Sequence, residues 1–564
     1  MTPASSTAQR MIAERLAAAD DHALAELFAA HRISPGANPA AAWRDLFDVA
    51  ETLLHPDQVA LALSHADRDL LADLASGVPR RTLALTDDRG LALPAVAAQL
   101  EKADIAHAAL SVPRPASESE AAHAAERAFT TIASLADLVI STLAKPLSRV
   151  GTGALSAVER RRLADEGLAQ TPEEADMLVQ LGLATDLLRG EGRRIGATAD
   201  GSDWVRLSTR ERWSDLAIRF RDALPRGLRD GPGWIDPALW PGIHPLDASW
   251  PARAEGWSEF ARLIGLIADG APPSEPEWAT PLRRGRDIDT APLVALMPGE
   301  VDRVYLQNDL TAISPGLLEP ALDVRLRGMT TRESHAQASA YRFTEGTITR
   351  ALSTGETSEG MREFLSQLSL TGIPQPLEYL IRRSAERHGL VRVSRDSATG
   401  QTLVSSDDRD LMRTIEVDRA LGALGLTSDG EALRSKASRD VVFWALSDAR
   451  YPAVVLDDDG SVAHAERHGI VEGVGDADPY SALIARLRES HGEGTDRAWL
   501  ERELDAAIRD RTSVVVAVRM PDGSERELTL EPTGLGGGRL RGRDAAAEVE
   551  RTLPVGLIAS VRPL

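Results

Sequence analysis

Residues 365–393, LSQLSLTGIPQPLEYLIRRSAERHGLVRV, constrain the fold more than any other part of the chain. Apolar residues recur there at three and four spacing in two runs, and the intervening LTGIP cannot continue a helix. Pro374 and Pro376 stand at the start of the second run, in a first turn whose N–H groups have no intrahelical partner to lose. Leu377, Leu380, Ile381 and Ala385 then form a buried face and Arg382, Arg383 and Arg387 an exposed one, until Gly389 ends the helix. Upstream, AYRF alternates as a strand, Thr344 caps the helix EGTITRALSTG, Gly355 closes it, and SEGMREFLSQLS is a further helix. Downstream, LVRV and TLVSS make a hairpin around SRDSATGQ. Strand, three helices and hairpin is the order of a winged helix, with LTGIP as the turn and LEYLIRRSAERH in the recognition position.

A second unit of this kind is expected earlier in the chain. TPEEADMLVQLGLATDLL begins with Thr171 as cap, Pro172 at the first helical position and Glu174 completing a capping box. The helix runs into RGEGRRIGATADG, a basic hairpin that places Arg189, Arg193 and Arg194 at a wing tip. Those arginines either lie over a phosphate backbone or are solvated on a structural turn. Six of the ten tryptophans fall between Trp204 and Trp257. Their amphipathic setting favours core packing, with base stacking as the alternative.

The expected class is α+β, mainly α, with tandem winged-helix modules and a small C-terminal β-rich domain of SH3-like barrel type. Residues 1–111 read as a helical N-terminal domain, 112–123 (VPRPASESEAAH) as a linker, and 124–300 as winged-helix modules. Residues 301–415 hold the unit described first, 416–480 a helical and hairpin connector, and 482–564 a helix followed by strands broken at Asp522-Gly523 and a glycine run.

Composition narrows the chemistry. A net charge of −21 is adverse to a chain that coats nucleic acid indiscriminately. There are no cysteines, which removes disulfides, thiolate metal sites and cysteine nucleophiles. The only lysines are Lys102, Lys145 and Lys436, preceded by Glu, Ala and Ser, so no Gly-Lys-Ser/Thr phosphate loop exists. GEGRRIG and GLGGGRLRG have the wrong spacing or context for a dinucleotide cradle. HAERH at 464–468 lacks the zinc-protease order, DDDG at 457–460 lacks calcium-loop spacing, and no GxSxG elbow is present. The expectation is therefore no catalytic residues, no metal and no cofactor. No unbroken run of about 18 apolar residues appears, and the start MTPASSTAQRMIAERLAAADD has no apolar signal core, so a cytoplasmic chain without a membrane is expected.

YLQNDLTAISPG, YRFTEGTITRALSTG, SQLSLTGIPQPLEYLI, RHGLVRV and SSDDRDLMR, spread over 304–415, resemble the N-terminal domain of the XPB/Ssl2 helicase family, including its LSxTGxP turn. No helicase lobes follow, and the layout is similar to actinobacterial helicase-associated proteins that carry this domain without the motor. The resemblance implies contact with a protein partner at least as strongly as with DNA. The tail, ending in the R-T-x-x-x-x-x-I-x-S pattern of 551–560, resembles the WYL domain of bacterial regulators, with Gly538, Arg539 and Leu540 where the WYL triplet is expected. Arg539, Arg541 and Arg543 are then candidates for phosphate contact, or are solvated on a small barrel. The expected function is that of a non-enzymatic accessory protein of DNA repair and metabolism that docks an XPB-type helicase and binds DNA weakly and salt-sensitively. The alternatives are a winged-helix/WYL transcriptional regulator and a cryptic nuclease.

Overall fold

The computed structural model describes residues 3–35, 43–101, 105–107, 111–151, 153–270, 272–333, 339–397, 399–430, 432–460, 462–463, 470–471, 478–490, 495–520, 523–544 and 547–563. Helices outnumber strands in residues, giving an α+β protein that is mainly α.

The helices from Pro3–Ala18 to Pro94–Leu100 bury Ile12, Leu16, Leu24, Phe28 and Leu46 in one core. Asp20, Asp45 and Asp67 cap three of them by accepting first-turn N–H groups. Tyr480, Leu483, Leu487 and Trp499, from the far end of the chain, complete the same core. Trp499 Nε1 donates to Asp45 at 3.3 Å, Arg502 reaches Asp45 and Asp48 at 2.9 Å each, and the Tyr480 hydroxyl donates to the Ile33 carbonyl at 2.8 Å. Helix Thr495–Asp510 therefore works on two faces, because Leu500, Leu504 and Ala507 pack on the C-terminal sheet instead. This corrects the separation of a 1–111 domain from a 482–564 domain: their helices share a core.

The next body opens with helix Glu118–Ala144. Ser117 accepts the Glu120 N–H, and the Glu120 carboxylate takes the Ser117 N–H at 2.7 Å. That capping box starts the helix inside the stretch read as a linker over 112–123. The helix has 27 residues and is long and apolar enough to cross a membrane by length and composition. Interspersed polar residues hide it from a search for an unbroken apolar run, and Ile132, Leu135, Leu138 and Val139 are buried in the protein's own core. Strand Leu147–Ser148, helices Ala157–Asp165 and Pro172–Ala184, and the hairpin of Leu188–Glu191 with Arg194–Ala197 follow. The last of these strands lies between the other two in a three-stranded antiparallel sheet.

Trp204, Trp213, Trp240, Trp250 and Trp278 are at most 3% exposed. Each indole N–H donates to a backbone carbonyl 2.7–3.1 Å away. Rings fixed in this way are core, and they offer no face to a base.

Strands Tyr305–Leu306, Thr311–Ile313, Ala340–Arg342 and Thr331–Arg332 form an antiparallel sheet, and helices Glu345–Ser353, Ser358–Leu368 and Gln375–Arg387 pack beside it through Ile348, Phe364, Leu377 and Ile381. Thr344 caps the first helix through the Thr347 N–H, as expected. The turn is pinned to the sheet edge: Val304 N–H donates to the Leu368 carbonyl at 3.0 Å and Leu370 N–H to the Val304 carbonyl at 2.9 Å. Buried charge fastens this unit to helix Glu118–Ala144, where Asp137 accepts from Arg327 and, at 3.1 Å, from Arg332. Asp323 lies 3.5 Å from Arg327 and receives the Tyr341 hydroxyl at 2.5 Å.

The hairpin after these helices is not a wing. Val391–Arg395 and Thr402–Ser405 occupy the middle of a six-stranded sheet, flanked by Ala453–Leu456 on one side and Ala432–Ser435 on the other. Strand Ala340–Arg342 belongs to a different sheet, so the expected winged-helix order is present in sequence but not in pairing. Val391, Val404, Leu433, Phe443 and Val455 share one core, which makes residues 391–463 a continuous unit across the boundary placed at 415 and not a domain end followed by a connector.

The C-terminal sheet is antiparallel, with Val549–Pro554 and Ile558–Pro563 at its two edges. A flat five-stranded sheet would hold its edges about 19 Å apart, yet the short turn Val555–Leu557 joins them. The sheet must curl, and a register shift between Pro532 and Gly534 in the long strand Glu525–Gly536 supplies the bend. Gly537 and Gly538, at φ 58° and 71°, make the tight turn into strand Arg539–Asp544.

Candidate functional site

Three arginine sets were expected to meet nucleic acid, and they fall in three different bodies. At the first, the Arg189 guanidinium pairs with Asp186 at 2.8 Å on the surface. Arg193 and Arg194 are exposed, with no ion pair among the described residues. The structure adds two cations that sequence reading missed. Arg149 donates Nε to the Gly192 carbonyl at 2.8 Å, and its guanidinium lies where a side chain at Gly190 would be. Lys145 is exposed at the end of helix Glu118–Ala144, two residues before the strand that pairs beside Arg194. The signal was the pairing of Leu147–Ser148 with this hairpin, which a local reading does not contain. The preceding helix Pro172–Ala184 carries Glu173, Glu174 and Asp176 and no basic residue, so it repels phosphate.

On helix Gln375–Arg387 all three arginines are exposed, as the periodicity requires. Arg387 pairs with Glu345 at 2.9 Å, and Arg382 lies 3.9 Å from Glu386. Arg383 has no ion pair among the described residues. Two of the three arginines thus already have acidic neighbours. What the sequence reading missed is apolar: Tyr305 is 42%, Leu370 54% and Tyr379 52% exposed. Leu370 lies beside the Tyr305 strand through its bond to Val304, and Tyr379 sits one turn into the helix that follows. The Arg382 guanidinium stands 5.7 Å from the Tyr379 ring centre, a cation–π contact at the surface.

In strand Arg539–Asp544 burial alternates, so Arg539, Arg541 and Arg543 project from one face while Leu540 and Asp544 turn inward. Arg539 is opposite Gly536 and Arg541 opposite Gly534, which leaves one flank of the row bare. Arg543 is in register with Glu531 and Glu550. Asp544 is buried and held by Arg551 at 2.6 Å.

No group of three or more metal-ligating side chains is present among the described residues. The two histidines of HAERH and Lys102 lie outside them, and DDDG forms the turn between strands Ala453–Leu456 and Val462–Ala463. Lys145 ends a helix and Lys436 follows a strand, so neither sits in a loop that could wrap a phosphate.

Residues 304–429 match the family model described as helicase conserved C-terminal domain. The matched stretch starts at Val304, takes in the three helices and central hairpin, and ends on strand Thr427–Asp429. A search of curated proteins gives no match. The match makes the chain helicase-related over this stretch, and taken alone it points toward an enzyme.

Proposed function

We propose that this chain is a non-catalytic accessory protein of DNA metabolism that docks an XPB-type helicase and touches DNA weakly. The observation that carries the reading is the exposed Tyr379 beside Arg382, with Tyr305 and Leu370 also exposed within the helicase-related stretch. Exposed aromatic residues next to arginine have the composition of a protein-binding hot spot. A DNA-reading face would keep its cations free, and here Arg382 and Arg387 have acidic neighbours. The match to a helicase domain family supports the link to a motor, and the lack of a phosphate loop in the sequence supports the non-enzymatic half.

The DNA contact we assign to the hairpin tip. Helix, strand, helix, helix and hairpin over 118–197, with the first strand beside the last, supports a winged-helix reading there. Lys145, Arg149, Arg193 and Arg194 would lie on the backbone, and the acidic helix would stay out of the groove. The curled C-terminal sheet supports the SH3-like reading, with Arg539, Arg541 and Arg543 as a further phosphate contact.

A double dissociation tests the assignment. Arg193→Glu with Arg194→Glu should weaken duplex binding and reduce the slope of log K against log salt by about two, one unit per lost contact. Tyr379→Ala with Arg383→Glu should leave that binding unchanged and abolish capture of a helicase from nuclease-treated extract. Exposed substitutions of this kind cost within about 0.5 kcal/mol, so both variants should fold. A slope that does not move would remove the tip from the DNA interface, and capture that survives would remove the patch from the docking face.

A further inference from the structure

The N-terminal helical body and the tryptophan-rich body meet around a cleft of about 500 Å³. The junction is held by Arg68 N–H on the Ile243 carbonyl at 2.7 Å, by His244 Nδ1 against the Ala66 carbonyl at 2.9 Å, and by Arg226 with Glu26 at 2.5 Å. Leu70, Ile235, Leu239 and Ile243 give the cleft apolar walls. Its size and its place between two bodies are those of small-molecule sites, which run from about 300 to 1,000 Å³.

Five arginines line it, and three are committed to carboxylates: Arg80 to Asp73, Arg226 to Glu26 and Arg283 to Glu275. Arg68 and Arg229 differ. Arg68 donates Nε to the Gly242 carbonyl at 2.8 Å, and Arg229 donates Nε to the Leu224 carbonyl at 2.7 Å and Nη2 to the Asp222 carbonyl. Backbone oxygens orient both guanidiniums, and neither has an ion pair among the described residues. A guanidinium that is aimed but not neutralised is preorganised for an oxyanion. Of the acids in the cleft, Asp67 caps a helix through the Leu70 N–H, Asp236 takes the Ala238 N–H and the Ser111 hydroxyl, and Asp69 faces His107 at 3.3 Å. Asp230 stands exposed at the rim and opposes an anion.

We propose that this cleft binds a small molecule carrying a phosphate or carboxylate on a compact apolar body, with the oxyanion on Arg68 and Arg229 and the body against Leu70 and Leu239. Isothermal titration of the full chain in phosphate-free buffer with phenyl phosphate, benzoate and inorganic phosphate tests it. Phenyl phosphate or benzoate should saturate one site at least about tenfold more tightly than inorganic phosphate, and the tighter of the two assigns the oxyanion. Arg68→Ala and Arg229→Ala should each weaken that binding about tenfold or more. Asp230→Asn and Arg229→Lys leave the junction contacts of Arg68 in place, so they read the site without disturbing the interface: the first should tighten binding and the second weaken it. Absence of saturable binding by all three probes, affinity indifferent to every one of these substitutions, or inorganic phosphate as tight as the ring-bearing probes would each overturn the proposal.

Discussion

Asp137→Ala is expected to destabilise the protein by about 3–5 kcal/mol, the loss that follows when one partner of a buried ion cluster is removed. The Asp137 side chain is only 12% exposed, and those of Arg327 and Arg332 are 14% and 17%. Burial works against the Arg327 charge, but Asp137 and then Asp323 overcome it and hold its pKa above the ordinary value. Without Asp137, Arg332 loses the carboxylate 3.1 Å away, and Arg327 is left with Asp323 at 3.5 Å among the described residues. Nearby Arg212 is 7% exposed, and burial pushes its pKa down to about 10. Urea unfolding followed by tryptophan fluorescence checks the prediction, and a loss below about 1 kcal/mol would contradict it.

Glu503→Gln should stabilise the protein by about 1–3 kcal/mol at pH 8 and leave it unchanged near pH 4. Glu503 is 3% exposed on the helix shared by the two ends of the chain, with Arg10 Nη1 3.5 Å from its carboxylate. Burial pushes its carboxyl up to about 7 from 4.5, while Arg10 pulls the other way and Glu14 adds to the rise. Because the folded value exceeds the unfolded one, the unfolded chain releases its proton first, and folded stability falls as pH rises between the two values. The penalty is fully present above about pH 7, which is where the neutral amide gains most; the lost attraction of Arg10 limits that gain. Thermal unfolding of both proteins across this range reads the difference. A gain independent of pH would show that Glu503 does not titrate there.

Local signals made the three helices of 345–387 readable: caps, prolines and apolar spacing all lie within a few residues of the structure they specify. Their surroundings were not readable, because pairing is non-local. The strand Val391–Arg395 buries Val391 and Val393 and would alternate in the same way in a wing or in a sheet interior. Its parallel neighbour Ala453–Leu456, nearly all buried, is the sign of a central strand, and it is more than fifty residues away. Arginine type and exposure were legible at Arg193, Arg383 and Arg541, but not whether a carboxylate already held the charge. Glu345 precedes Arg387 by 42 positions, and Arg332 lies 195 positions from Asp137. The capping box Ser117–Glu120 was legible and was masked by its serine-rich composition. Tyr305, Leu370 and Tyr379 look like ordinary apolar residues of their segments, and only the packed structure leaves them outside.

The central claim is that a helicase-related chain works without helicase chemistry, and ATP turnover by the purified full chain tests it most directly. Measured with single- and double-stranded DNA against a mock preparation, the account predicts no hydrolysis above background, since no lysine follows glycine in a phosphate loop. DNA-stimulated hydrolysis that tracks with the chain through purification would contradict it, and turnover persisting after all three lysines are replaced would place a catalytic site beyond any motif in the sequence.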